Sequence, residues 1–222
     1  MSNDNPKFSA DTSKRTPAEW VRALIVLFVG LVIAHFGVSL FLLSDAGSDT
    51  FTVFIQGLSV QLGLSVGTVH VIVTVLLMVL MLVFTKGYVK PGTAVCAFCG
   101  GPIIDLFTAL LKGFINAGSP LAIRAVSVVA GCVILSLGMS VVINSRAGTG
   151  PNDLVAIILS DKIGKLQFRT VRILCDVVFV LLGFLLGGTV GLGTLTAVVL
   201  TGPMVQFWLK RTEPITKRLI RD

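Results

Sequence analysis

The sequence predicts an all-α membrane protein. Six transmembrane helices form two inverted three-helix repeats, each with a short re-entrant or interfacial helix after its first span. Three observations predict this. First, hydrophobic residues are 54% of the 222-residue chain and charged residues only 13%, against roughly 25% charged in a soluble domain. The mean hydropathy is +0.94. Second, a single offset of 101 residues relates the two halves: Gly30 matches Gly131, Gly37 matches Gly138, Ser39 matches Ser140, and Ala46-Gly47 matches Ala147-Gly148. Leu58-Ser59, Gly63, Gly92-Thr93 and Gly101-Pro102 recur at the same offset as Leu159-Ser160, Gly164, Gly193-Thr194 and Gly202-Pro203. Two copies of a unit of about 90 residues follow, roughly Val21–Thr108 and Ala122–Leu209. Third, Lys and Arg alternate between loops as a membrane topology requires.

The polar first 20 residues read as a disordered tail. Arg15 and Arg22 precede the first apolar run, no small-residue cleavage site follows it, and it reads as a retained span. Six largely apolar runs then cross the bilayer, each about 17–21 residues long. They lie near Ala23–Leu43, Val69–Thr85, Pro91–Leu111, Ile123–Ile143, Val171–Gly187 and Leu192–Leu209. With both termini in the cytoplasm, 16 of the 18 basic residues fall inside and only Lys112 and Arg124 outside. The expected divisions are a cytoplasmic tail (1–20), a first repeat (21–112), an outside connector (113–121), an inverted second repeat (122–209) and a basic cytoplasmic tail (210–222).

Three spans per repeat is an odd number, so the copies insert upside down relative to each other, a ground plan of transporters and channels. The loops differ accordingly: Ser44–Thr68 has no Lys or Arg, and Asn144–Arg172 has five. Both loops contain an apolar stretch, Phe51–Leu62 and Pro151–Ile163, too short to span. Each reads as a short helix. Pro151 suits the first helical position, Thr149 or Gly150 the cap, and Asp153 the first turn, where the helix dipole favours an acid. Paired Gly/Pro-interrupted segments are the sequence pointer to a transporter's binding site.

The expected lining of a solute path is Thr149, Gly150, Asn152 and Asp153 with Arg172 and Asp176. The last two are four apart and share a helix face, with Arg169 one turn nearer the cytoplasm. Asp176 sits inside the span, where an unpaired carboxylate is costly. Against a solute path stands a purely structural pair, with Arg172 reaching back to the interface. Candidates for a proton or polar relay are His35, Asp105 and Gln206; each also has a bland reading as a packing or water-facing residue. Cys96 and Cys99 share a helix face, but no neighbouring His or acid completes a metal site, so they read as small packing residues. Gly187, Gly188, Gly191 and Gly193 suit a tight outside turn. No phosphate loop, Ser/His/Asp set or zinc cluster is present, so neither an enzyme nor a cofactor is expected, and no metal.

The second half resembles the YczE/YitT group of bacterial integral membrane proteins, in its YczE-like branch. The resemblance is carried by Ala-Gly-Thr-Gly-Pro-Asn-Asp at 147–153, Gly164, Arg169-Thr-Val-Arg172, the Gly-rich run from Leu185 to Thr194, and Gly202-Pro203. Gly37-x-Ser39, Ala46 and Leu64–Thr68 extend it to the first half. It implies a multi-pass protein of the bacterial plasma membrane and supplies no substrate. Relatives tend to carry Gly-x-x-Pro-x-Asp in both halves; here the first copy reads Gly47-Ser-Asp-Thr-Phe-Thr52, so any paired site is asymmetric.

The leading expectation is a transporter or channel for a small polar or anionic solute, with its path at the repeat interface. The alternative is a non-transporting accessory protein that docks a partner through its basic cytoplasmic face. The expected partners are the lipid bilayer, a small-molecule or ion solute and, in the transport case, a homo-oligomer. The net charge of +7 sits in tails and alternate loops, which is topology and not nucleic-acid binding.

Overall fold

Apolar helices with few internal breakers build the whole chain. The computed structural model describes residues 15–85, 87–163 and 168–221. Residues 1–14, Lys86, Gly164, Lys165 and the side chain of Arg169, with the readings placed on them, lie outside what is described. Among the described residues there are eight helices: α1 (Pro17–Ser44), α2 (Thr50–Leu62), α3 (Val66–Phe84), α4 (Pro91–Leu111), α5 (Leu121–Ser145), α6 (Pro151–Ile163), α7 (Phe168–Leu185) and α8 (Leu192–Arg221). Five of them, α1, α3, α4, α5 and α8, are long and apolar enough to cross a membrane. Their outward faces carry large apolar side chains such as Leu76, Val83, Phe84, Leu195 and Val198. A soluble protein does not leave so much apolar surface in water, so the chain is a multi-pass membrane protein.

The 101-residue offset recurs in the elements. Adding 101 to the bounds of α2, Thr50 and Leu62, gives those of α6, Pro151 and Ile163. The turns that end α1 and α5 are also alike. Asp45 and Arg146 both adopt left-handed backbone, with φ of 49° and 53°. The preceding Ser44 and Ser145 donate back to Phe41 O and Val142 O at 2.7 and 2.6 Å. Each then accepts from the backbone N–H of Ala46 or Ala147. The next contacts match as well: Gly92 N–H donates to Ala147 O at 3.0 Å, and Gly193 N–H donates to Ala46 O at 2.7 Å.

At the centre α1 lies antiparallel along α5. Gly37 faces Gly131 and Leu135, and Gly30 faces Gly138 and Val142. Small residues at these positions let the two backbones touch, which is how helices associate without a hydrophobic drive between them. Arginines tie the two ends. Arg124 donates to Ser44 O and Asp45 O at 2.6 and 2.8 Å, and Arg15 donates to Ser145 O at 2.9 Å. The starts of the α1–α2 and α5–α6 connections therefore lie at opposite ends of this pair.

Both termini differ from expectation. Helix α1 begins at Pro17, so residues 17–20 are helical. Thr16-x-x-Glu19 is a capping box, with both reciprocal hydrogen bonds made, and Pro17 fits the first helical position. Helix α8 continues past Leu209 to Arg221. Its Thr212, Thr216 and Ile220, four apart, form a buried stripe, and Ile220 packs with Ala23, Val26 and Leu27 of α1. The intervening Lys and Arg residues mask that stripe in a hydropathy reading.

Candidate functional site

Helix α2 runs beside α7 in the same direction. Thr50 meets Asp176, Val53 and Gly57 meet Gly183, and Gln61 donates to Leu186 O. Asp176 is eight residues past Phe168, the first residue of α7. At 1.5 Å per residue that is ~12 Å along a helix of ~27 Å. Helix α2 thus begins beside the middle of α7. Its N-cap is Asp49, which accepts from Thr52 N–H at 3.2 Å.

Helix α6 approaches from the other side. Its Leu154, Ile157 and Ile158 pack on Met81, near the end of α3. At its C-terminal end Asp161 accepts from the Tyr88 hydroxyl at 2.9 Å. That hydrogen bond, more than burial, raises the Tyr88 phenol above its ordinary pKa. The N-terminal end of α6 points at Arg172, one turn before Asp176 on α7.

Arg172 lies between the two helix starts. Its Nη1 donates to Asp153 Oδ1 at 2.5 Å and its Nε to Asp176 Oδ2 at 3.3 Å. Asp176 Oδ1 accepts from the Thr50 hydroxyl at 2.7 Å. Asp153 also accepts from Thr149 Oγ1 at 3.4 Å and from Asn152 Nδ2 at 3.3 Å, while Gly150 O receives Asp153 N–H. One continuous network therefore joins the starts of α2 and α6 through α7. The three charged side chains are 33%, 18% and 25% exposed for Arg172, Asp153 and Asp176. They are neither sealed in a core nor free at the surface.

All six residues expected to line a path meet here. Sequence reasoning missed Asp49 and Thr50. Thr52 stands at the 101-residue counterpart of Asp153, yet the first half places its carboxylate three residues earlier, as the α2 cap. The signal was the Asp-Thr pair directly before an apolar run, a helix start. The three relay candidates do not join the network. Asp105 accepts from Ser65 Oγ at 2.5 Å and Gly67 N–H at 2.9 Å, bracing the start of α3. Gln206 is exposed on α8, because the 101-residue correspondence with Asp105 does not carry a shared environment. His35 is buried in α1 beside His70 of α3, with ring centroids 5.3 Å apart.

The comparisons with known proteins include one relative named as a membrane protein and are silent on activity. Over 193 residues the chain is 28% identical to "Uncharacterized protein YyaS" of Bacillus subtilis (strain 168), covering 86% of this chain and 92% of that one. It is 27% identical over 186 residues to "Uncharacterized membrane protein YczE" of the same organism, covering 83% and 84%. An uncharacterized protein of Haemophilus influenzae is 27% identical over 188 residues, covering 85% and 84%. No solved structure matches the chain. The model of one family, described as a family of unknown function (DUF6198), matches residues 21–210, so the chain belongs to that family, whose YczE-like character its motifs already carry.

Proposed function

We propose that this protein is a transporter or channel for a small polar solute, in the bacterial plasma membrane, with its path at the interface of two inverted repeats. With α1, α3, α4, α5, α7 and α8 taken as six spans, the positive-inside rule supports a cytoplasmic location for both termini. Helix α7 is the sixth span: its charges lie in its first half, and Val177, Val178, Leu181 and Leu182 beyond them are exposed, as lipid-facing residues are. Helices α2 and α6 are half-helices that enter from opposite faces.

The single observation that carries the reading is the Asp153–Arg172–Asp176–Thr50 network, where the N-terminal ends of both half-helices converge on one spanning helix. Charges inside a membrane protein mark solute paths by default, and half-helix ends at a repeat interface are where transporters bind. Of the two solute classes the sequence leaves open, the polar one is better supported. An anion needs the guanidinium, and two carboxylates already occupy it. Asp153 and Asp176 around one Arg172 favour a solute that donates hydrogen bonds.

A thermal-shift screen of the purified protein against metabolites and ions tests this, with Asp153→Asn alongside. A ligand at 100 times its dissociation constant adds about 2.7 kcal/mol. A stabilising hit that the variant loses is expected. No hit across the library, together with a stoichiometric protein partner co-purifying in mild detergent, would favour the accessory-protein reading.

A further inference from the structure

A second polar cluster lies beside the first. His35 of α1 and His70 of α3 are 9% and 8% exposed, and their rings meet edge to face at 81°. They are the only two histidines in the chain. His35 Nδ1 lies 2.8 Å from Leu31 O. A carbonyl oxygen only accepts, so Nδ1 carries the hydrogen and Nε2 is a bare lone pair. That lone pair faces α4 at Gly100. A Cβ built on Gly100 would lie 2.8 Å from His35 Nε2 and 2.9 Å from His70 Nε2. Both Nε2 atoms therefore border one small space beside Gly100, too tight even for a methyl group. On its other side the His70 ring packs on Phe51 at 5.7 Å, and Phe51 follows Thr50, the residue that holds Asp176. The pair stands directly behind the start of α2.

A buried, bare imidazole nitrogen accepts a hydrogen-bond donor or a Lewis acid. The gap is too small for an organic solute, and a proton, delivered by water, is the smallest occupant that satisfies both nitrogens. We propose that His35 and His70 bind one proton between their Nε2 atoms, beside Gly100, and that this proton is the ion coupled to solute movement at the Arg172 network. The coupling rests on the transport reading above; the proton site does not. In the step, hydronium gives its proton to one Nε2 lone pair and leaves as water, and the new N–H donates to the other Nε2. The step requires that His70 carry its neutral-state hydrogen on Nδ1. The other titratable or charged side chains on the elements around the pair are Glu19 and Arg22 on α1, Asp49 before α2, Cys96, Cys99 and Asp105 on α4, and Arg124 and Cys132 on α5. Among the described residues none of these hydrogen-bonds to either ring. The pair therefore titrates as a unit, with one macroscopic step for its first proton.

Because the chain has two histidines, ¹⁵N-histidine labelling reads the pair directly by solid-state NMR in lipid bilayers. Between about pH 8 and pH 5, the window where imidazoles titrate, the expected result is one protonation step that moves both Nε2 signals together. His70→Gln should then shift the His35 midpoint. Two independent steps, or two neutral rings throughout, overturn the site. In proteoliposomes carrying a pH-sensitive dye, acid-driven proton uptake should fall roughly tenfold or more in His35→Gln and in His70→Gln, and stay unchanged in Cys96→Ala. Uptake equal to wild type in both histidine variants overturns the coupling. A shared proton with no flux of any kind would uphold the site and remove the transport reading instead. The wild-type spectrum needs no variant to fold.

Discussion

Gly138→Val should abolish a folded, monodisperse protein in mild detergent, the largest effect expected of any single substitution here. A Cβ at residue 138 would lie 2.6 Å from Ala34 Cα and 2.6 Å from Gly30 O. Both are backbone atoms of α1 and have no rotamer in which to yield. The only relief is to move α1 away from α5, and that separation runs the length of the central pair. It also breaks the packing of Gly37 on Gly131 and strains the arginine ties at both ends. Ordinary overpacking costs roughly 1–3 kcal/mol, and a backbone collision at a helix crossing should reach about 3 kcal/mol or more. Gly138→Ala should show the same effect in milder form. Gly113, with nothing within 4 Å of an added Cβ, is the control: Gly113→Ala should stay within about 0.5 kcal/mol of wild type. Size-exclusion profiles and melting in detergent measure all three. A Gly138→Val protein with a wild-type profile would mean that α1 and α5 do not touch as described.

The second large effect is expected from Arg172→Ala. Removing the guanidinium leaves Asp153 and Asp176 facing a partly buried space with no cation. Breaking a buried pair costs roughly 3–5 kcal/mol, because the orphaned charge remains. These groups are a fifth to a third exposed, so a loss of about 2–3 kcal/mol is the better expectation. Arg172→Ala with Asp153→Asn should cost less than the two singles summed, since the second change removes an orphan that the first creates. Arg172→Lys should recover little, because an ammonium cannot fork between two carboxylates as Nη1 and Nε do here. A double-mutant cycle by chemical or thermal melting gives the coupling. Strict additivity would mean that the Arg172–Asp153 contact carries no energy.

Much of the scaffold was legible because its signals are local or periodic. Apolar runs locate the long helices, and the glycine offset locates the turns after Ser44 and Ser145. The Pro151 and Thr50 helices follow from breakers at their starts. The site was half legible. The Ala147–Asp153 motif, Arg172 and Asp176 announce themselves as polar residues in an apolar chain, and they do meet. Thr50 and Asp49 were hidden because hydroxyls and caps are common at any helix start, and only the parallel register of α2 on α7 brings Thr50 to Asp176. His70 was hidden for a related reason. It lies 35 residues after His35, and only the packing of both α1 and α3 on α4 pairs them. The stripe Thr212-Thr216-Ile220 was obscured by neighbouring charges that averaging over a window cannot separate from a polar tail.

Solute access to the Arg172 network from both faces is the central claim, and substituted-cysteine labelling tests it most directly. Ser48 and Thr149 are related by the 101-residue offset, 48 + 101 = 149, and are 1% and 7% exposed. Each sits just before a short helix, α2 or α6, and each is buried. In a background without native cysteines, Ser48→Cys should react with a membrane-impermeant thiol reagent added outside. Thr149→Cys should react with the same reagent added from the cytoplasmic side of inverted vesicles. Both reactions, at rates that a stabilising solute slows, would mean that the network opens alternately to the two faces. Two cysteines inert from both sides, in protein that melts like wild type, would contradict the claim and leave the Asp153–Arg172–Asp176 network a structural clamp.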